Sequence, residues 1–347
     1  MSKRTVKDIT GRLLLVWITA ALSLIISLIL WAISSGLTDD QLSQQMASRW
    51  SQDGEVSQIS CFFSVNTYIT PERIDELEYN LRSKLQNDSI INQSMNPAAR
   101  MWTDAYSAYG RITVKSERGE ITVDAIGIGG DFFQFHPLKL LTGSYFSGND
   151  LMQDYCVLDE DAAWRLFGSN DIAGQFVTIR GIPHMIMGVI ERESGRLAEA
   201  AGLDSSVIYV SYDTLNRYGT HSGINHYEIV MPDPVKGYAQ STVKELLSID
   251  DQEMEIVNNT ERFSVVNRLK LLTSFGTRSM NGKAIIYPYW ENIVRGMEDI
   301  LMVITLFAVM FLLYPIIVFF VMMRKWWKHR TWTIFSIWKK LKGGVRV

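Results

Sequence analysis

The chain has 347 residues, 47% of them hydrophobic and 20% charged, with a formal net charge of −3. That composition excludes an intrinsically disordered tether and supplies no excess of positive charge for holding nucleic acid. Two uncharged apolar stretches, residues 13–37 and 300–323, also exclude a soluble cytosolic enzyme. Each exceeds the roughly 20 residues that a helix rising about 1.5 Å per residue needs to cross a hydrocarbon core about 30 Å thick.

Residues 1–12 form a basic head with Lys3, Arg4, Lys7 and Arg12 ahead of the first span. A signal peptidase would accept Ala32 and Ser34, but the apolar run from Leu13 to Trp31 exceeds the roughly 7–15 residues of a signal core, so a retained anchor is expected. After the second span, residues 324–347 carry Arg324, Lys325, Lys328, Arg330, Lys339, Lys340, Lys342 and Arg346 without an Asp or Glu. Basic residues beside spans stay cytoplasmic, so a two-pass protein of the cell membrane is expected, with both termini inside and residues 38–299 outside. Removing head and tail leaves the outer domain roughly −14. Arg324, Lys325, Lys328 and Arg330 are the candidate anchoring or coupling residues on the cytoplasmic side. Trp326, Trp327, Trp332 and Trp338 suit headgroup depth, and the tail is expected on the anionic leaflet.

Within the outer domain, residues 38–52 read as polar helix and residues 56–65 as a strand rich in Ile, Phe and Val. Thr70-Pro71-Glu72 then caps a helix in which Ile74, Leu77, Leu81 and Leu85 recur at helical spacing. Residues 87–100 read as a loop, and residues 111–115 and 120–126 flank Arg118-Gly119 as a β-hairpin. Cys61 and Cys156 lie in separate strand-like runs. An oxidising compartment permits a disulfide between them, but two such cysteines are more often separately buried small hydrophobes.

The stretch Ile128-Gly129-Gly130-Asp131-Phe132-Phe133 leads into Leu138-Lys139-Leu140-Leu141-Thr142-Gly143-Ser144-Tyr145-Phe146. A strand at 155–158 and a helix ending Arg165-Leu166-Phe167-Gly168 follow, then Asp171-Ile172-Ala173-Gly174-Gln175, paired strands at 176–180 and 184–190, and Val207-Ile208-Tyr209-Val210-Ser211. In order and spacing this resembles the MacB-like periplasmic core domain, and the chain as a whole resembles the FtsX-like permease family shortened to two transmembrane helices. The resemblance makes Phe132, Phe133, Gly143, Phe146, Phe167, Gly168, Gly174 and Gly188 structural hallmarks. It implies an α+β extracytoplasmic domain between two transmembrane helices, with a membrane-proximal strand–helix lobe and an inserted, mostly β lobe at about residues 120–223. Residues 226–231, 235–247 and 253–257 then read as the returning strand–helix–strand.

Residues 261–299 read as a stalk, with Phe263, Val266, Leu269 and Leu272 on one helical face and a helix opening at Pro288 and running into the second span. Tyr287, Tyr289 and Trp290 either touch headgroups or pack against Trp31 and its neighbours. Pro315 is a candidate kink.

No phosphate-binding loop is present, since Gly282-Lys283 is followed by Ala284, and Gly127-Ile128-Gly129-Gly130 reads as a turn rather than a dinucleotide loop. His136, His184, His221 and His226 show neither H-x-x-x-H spacing nor a cysteine pair, so structural histidines are expected, with no catalytic residue, metal or cofactor. The resemblance implies a noncatalytic permease-like subunit of a MacB/FtsX-type ABC transporter or mechanotransmission system. Its partners would be a cytoplasmic ATPase, a companion permease subunit supplying further spans, and a homo- or heterodimeric mate. The other reading is a membrane-anchored extracytoplasmic binding or scaffold protein without transport.

Overall fold

The computed structural model describes residues 3–51, 55–90, 100–203, 205–278 and 287–343, without the side chains of 3–10, 12, 329–337 and 340–343. The chain divides into two units, Met1–Asp39 with Ile300–Val347, and Asp40–Asp299.

The first unit pairs helix α1 (Lys3–Asp39) with most of the long C-terminal helix, which spans Tyr289–Gly343. Both are long and apolar enough to cross a membrane, and only 17% and 22% of their most apolar windows are buried, the reverse of a core helix in a soluble protein. The seam is small and polar. The Thr19 and Tyr314 hydroxyls lie 2.9 Å apart, Ser23 Oγ donates to the Phe311 carbonyl at 2.7 Å, and Ser27 Oγ donates to the Ala308 carbonyl at 2.8 Å. Positions 19, 23 and 27 recur every four residues while their partners descend, so the helices run antiparallel with their small residues in contact. The Pro315 kink expectation meets a local answer here. Proline has no N–H for the carbonyl four residues back, and that carbonyl, on Phe311, is the one Ser23 satisfies.

The second unit begins with a 3₁₀ turn at Leu42–Gln44 and helix α2 (Met46–Trp50), so the helix expected over 38–52 is broken. Strand β1 (Val56–Phe63) and helix α3 (Pro71–Asn87) follow as expected. Of the loop read at 87–100, residues 91–99 lie outside the described residues. Strands β2 (Thr103–Lys115) and β3 (Glu120–Gly130) form the hairpin in a register from Ala105↔Gly130 to Lys115↔Glu120, longer than the sequence pattern indicated. Helix α4 (Phe132–Phe135), strands β4 (Leu140–Gly143) and β5 (Tyr155–Asp159), and helix α5 (Glu160–Phe167) come next. Asp159 caps α5 by accepting from the Ala162 N–H at 2.7 Å, and Gly168 closes it at φ 74, a left-handed conformation that favours glycine. The chain continues through β6 (Phe176–Ile179), β7 (Ile182–Ile190), α6 (Arg196–Ala200), β8 (Val207–Ser211), α7 (Tyr212–Tyr218), β9 (Thr220–His221), β10 (His226–Pro232), α8 (Tyr238–Leu247) and β11 (Met254–Asn258).

One sheet organises these strands in the order β11-β1-β10-β2-β3-β8-β5-β7-β4, with β6 pairing both β2 and β7. The ladder β2-β3-β8-β5-β7-β6-β2 therefore closes on itself as a small barrel, while β11-β1-β10-β2 stays open. The long strand β2 belongs to both. Helices α3 and α8 cover one face of the open part, where Ile74, Leu81 and Val243 pack with Ile59, Ile229 and Met231. Cys61 and Cys156 are both free and fully buried. No disulfide joins them, because β1 and β5 are five positions apart along the sheet order.

The residues singled out by the resemblance fall at packing and turn positions. Phe132, Phe133 and Phe146 are buried together, and half-buried Phe167 packs against the large core cluster that includes Leu158 and Leu166. Gly143 sits at φ 79, where a Cβ would lie 2.1 Å from the Met187 carbonyl oxygen. Gly174 has a positive φ, and a Cβ on Gly188 would meet the Ser144 carbonyl at 2.7 Å.

The expected stalk differs most. Residues 259–274 form α9 (Asn259–Arg262), α10 (Val265–Lys270) and a 3₁₀ turn (Leu271–Ser274), leaving Val266 and Leu272 exposed and burying Arg262 and Arg268. Residues 279–286 lie outside the described residues. The final helix, α11 (Tyr289–Gly343), then starts inside this unit.

Candidate functional site

Alternation along β1 and β10 builds the site. Ile59, Cys61 and Phe63 point to the helix-covered core, so Gln58, Ser60 and Phe62 point the other way. The antiparallel register sets Ser60 opposite Glu228 and Phe62 opposite His226. Both pairs make contact: Ser60 Oγ donates to Glu228 Oε1 at 2.7 Å, and the Phe62 and His226 rings stack at 4.7 Å and 7°. His136, from the turn after α4, places Nε2 2.6 Å from Glu228 Oε2. Burial alone would push the Glu228 carboxyl up. The neighbouring His136 and His226, with hydrogen bonds from His136 and Ser60, outweigh it and hold the group at about 2. Burial lowers His226 to about 4, which keeps its ring neutral near pH 7.

Both segments that connect to the apolar helices dock on this polar face. On the side following α1, Gln58 Oε1 accepts from the Met46 N–H at 2.8 Å, and Gln58 Nε2 donates to the Ser43 carbonyl at 2.7 Å. On the other side, the first three turns of α11 bury Trp290, Glu291, Val294, Arg295 and Glu298. Arg262 joins the two. Its guanidinium forks onto Glu291 with two bonds of 2.8 Å, onto Glu298 at 2.8 and 3.2 Å, and reaches Gln44 Oε1 at 3.0 Å. Burial opposes that charge, but the two glutamates outweigh it and raise the Arg262 pKa. Arg295 continues the network to Glu291 and Glu255, each at 2.6 Å, and lies 3.9 Å from the Tyr287 ring centre. Arg278 binds Glu298 at 2.8 Å and Asp299 at 3.3 Å.

The aromatic residues ahead of the second span pack within this domain. Trp290 sits 4.7 Å from the His136 ring, Tyr289 shares a 2.7 Å hydroxyl contact with Tyr209, and Tyr287 packs edge-on against Phe62. Two clefts flank Trp290, one of about 280 Å³ reaching His136, Tyr209 and Glu193, the other of about 290 Å³ reaching His226, Asn225 and Tyr109. Sequence reasoning missed this centre. The one local signal was His226-x-Glu228 on a predicted strand, which places both side chains on one face.

Among the residues flagged from sequence, Arg324, Lys325 and Lys328 lie on α11 beyond its apolar part with exposed side chains, as do Trp326, Trp327 and Trp338. The side chains of Arg330 and Trp332 lie outside the described residues.

Two apolar helices joined to a mixed α+β domain define a membrane protein with an extracytoplasmic domain. The family described as the MacB-like periplasmic core domain matches residues 16–249, and the chain belongs to that family. Among relatives, it is 30% identical over 79 residues to the macrolide export ATP-binding/permease protein MacB of Chromobacterium violaceum, covering 22% of this chain and 12% of that protein. The MacB of Neisseria gonorrhoeae is 27% identical over 128 residues, 36% of this chain and 19% of the relative. The chain thus spans less than a fifth of these relatives' length. Among solved structures, the periplasmic region of MacB from Actinobacillus actinomycetemcomitans aligns with 60% of this chain and 92% of its own, at 18% identity and a TM-score of 0.41. The extracellular domain of the noncanonic ABC-type transporter YknZ from Gram-positive bacteria aligns with 58% of this chain and 100% of its own, at 16% identity and a TM-score of 0.37.

Proposed function

We propose that this chain is a noncatalytic permease-type subunit whose outer domain is moved by a cytoplasmic ATPase acting through the two apolar helices. The basic residues ahead of the first apolar helix and the basic segment from Arg324 onward would lie on the ATPase's side of the membrane. The observation that carries the reading is the Arg262 junction. One guanidinium holds Gln44, just after the first apolar helix, and Glu291 and Glu298, at the start of the second. A displacement at either segment must strain the same buried bonds, and a buried charge network shifts between discrete arrangements more readily than it deforms smoothly.

The test is capture of the full-length protein from its own membrane in mild detergent, with identification of what stays bound after a salt wash. Recovery of an ATP-binding subunit supports the proposal. Recovery of envelope proteins alone, with no ATPase even after crosslinking, would overturn it in favour of an anchored binding or scaffold protein.

A further inference from the structure

The buried His136–His226–Glu228 cluster makes no direct bond to Arg262 and connects to it through Asn259, which accepts from Arg262 at 3.4 Å and donates to Ser60 at 2.7 Å. The two histidines and the glutamate each offer a ligand atom, and these atoms all lie within 4.8 Å of one another. We propose that His136 Nε2, His226 Nε2 and a Glu228 oxygen form a three-residue site for a divalent transition metal, with zinc as the best-matched ion.

Several observations converge on this assignment. His226 is 2% exposed, yet its Nε2 has no hydrogen-bond partner among the described residues, and the nearest Glu228 oxygen is 3.6 Å away. A ring nitrogen held in the interior, facing a carboxylate and without a hydrogen bond, calls for a partner. The His136–Glu228 contact uses one carboxylate oxygen and does not reach the His226 Nε2. Zinc bonds of about 2.0–2.1 Å in tetrahedral geometry put ligand atoms roughly 3.3 Å apart. His136 Nε2 lies 2.6 Å from Glu228 Oε2 and His226 Nε2 lies 3.6 Å from Glu228 Oε1, with the ligand atoms all within 4.8 Å, so an entering ion would draw the two imidazoles onto one oxygen by side-chain rotation. Two imidazoles and one carboxylate suit zinc better than calcium or magnesium, which take all-oxygen sets.

The surroundings also fit. Ser60 donates to Glu228 Oε1 at 2.7 Å, and Asn259 Nδ2 donates to Ser60 Oγ at 2.7 Å, which orients the carboxylate. Phe62 and Trp290 fix the planes of the two imidazoles. The clefts beside His136 and His226 provide approach from two sides. The bound ion ties the turn after α4 to β10 and thereby fixes the wall against which Trp290 packs.

The experiment uses full-length protein in detergent with an affinity tag that contains no histidine. After chelator treatment, zinc chloride is added and bound metal is counted by mass spectrometry. A parallel titration with cobalt(II) is followed by its visible absorption. The expected result is one zinc per chain, a cobalt spectrum of tetrahedral type, and a rise in thermal midpoint on adding zinc. His226→Gln should weaken binding by at least about 100-fold, and Ser60→Ala by about 10–100-fold through loss of carboxylate orientation. His184→Gln should leave binding unchanged, because that histidine is held separately by the Ile182 carbonyl and Thr214. Wild-type protein that retains less than about 0.1 zinc per chain under saturating metal overturns the proposal without reference to any variant. So does a folded His226→Gln protein that binds zinc as tightly as the wild type.

Discussion

Replacing Arg262 by Met keeps the side chain's length and removes its charge, leaving Glu291 and Glu298 facing an apolar group. Their side chains are 1% and 5% exposed, so neither carboxylate can recover its lost partner from water. Arg295 and Arg278 still hold one oxygen of each, which limits but does not abolish the penalty. Removing one partner of a buried ion pair costs about 3–5 kcal/mol, and at about 2 °C per kcal/mol for a domain of this size the thermal midpoint should fall by roughly 6–10 °C. Following Trp fluorescence during heating is a suitable assay, since Trp290 lies beside the network. The loss should shrink to about 1 kcal/mol when Arg262→Met is made in a Glu291→Gln, Glu298→Gln background, where no charge is stranded. A fall below about 2 °C for the single variant, or an equal fall in both backgrounds, would refute the reasoning that Arg262 acts by neutralising these two carboxylates.

Three further predictions concern other parts of the molecule. Ser23→Ala should lower the unfolding free energy in detergent by about 1 kcal/mol, and the loss should shrink in a Pro315→Ala background, where a restored N–H satisfies the Phe311 carbonyl; equal losses would show that Ser23 does not compensate for the proline. Asp104 is pushed up to about 7, first by burial and then by Glu78, against a hydrogen bond from Tyr227. Its folded-state pKa exceeds the unfolded one, so stability should fall as pH rises from about 4 to about 7, by about 4 kcal/mol, and the Asp104→Asn unfolding curve should lack that component. Cys61 and Cys156 are buried, and burial raises both thiols; neither should react with a maleimide until the protein is denatured, and migration should be the same with and without reductant.

What the sequence disclosed was whatever local rules govern. Thr70-Pro71 marks the start of α3, Arg118-Gly119 marks the hairpin turn, and apolar run length marks the two helices. The polar centre was illegible because its partners are remote: His136 and Glu228 are 92 residues apart, and Arg262 and Glu298 are 36. Apolar periodicity around Phe263 and Val266 suggested a single amphipathic helix, yet the buried side chains there are arginines. Periodicity counts apolar residues and cannot see that a charge is buried once distant carboxylates surround it. The closed barrel was equally hidden, since nothing local to Phe176–Ile179 shows that it pairs with both β2 and β7.

The central claim is that this chain works with a cytoplasmic ATPase, and a photo-crosslinking residue at position 325 tests it most directly. Irradiation of intact cells should join the protein to an ATP-binding polypeptide, and the same residue at position 79 on the exposed face of α3 should not. If position 325 crosslinks only to lipid or to envelope proteins while position 79 captures a specific partner, the chain is an anchored binding protein and the ATPase-driven account is wrong.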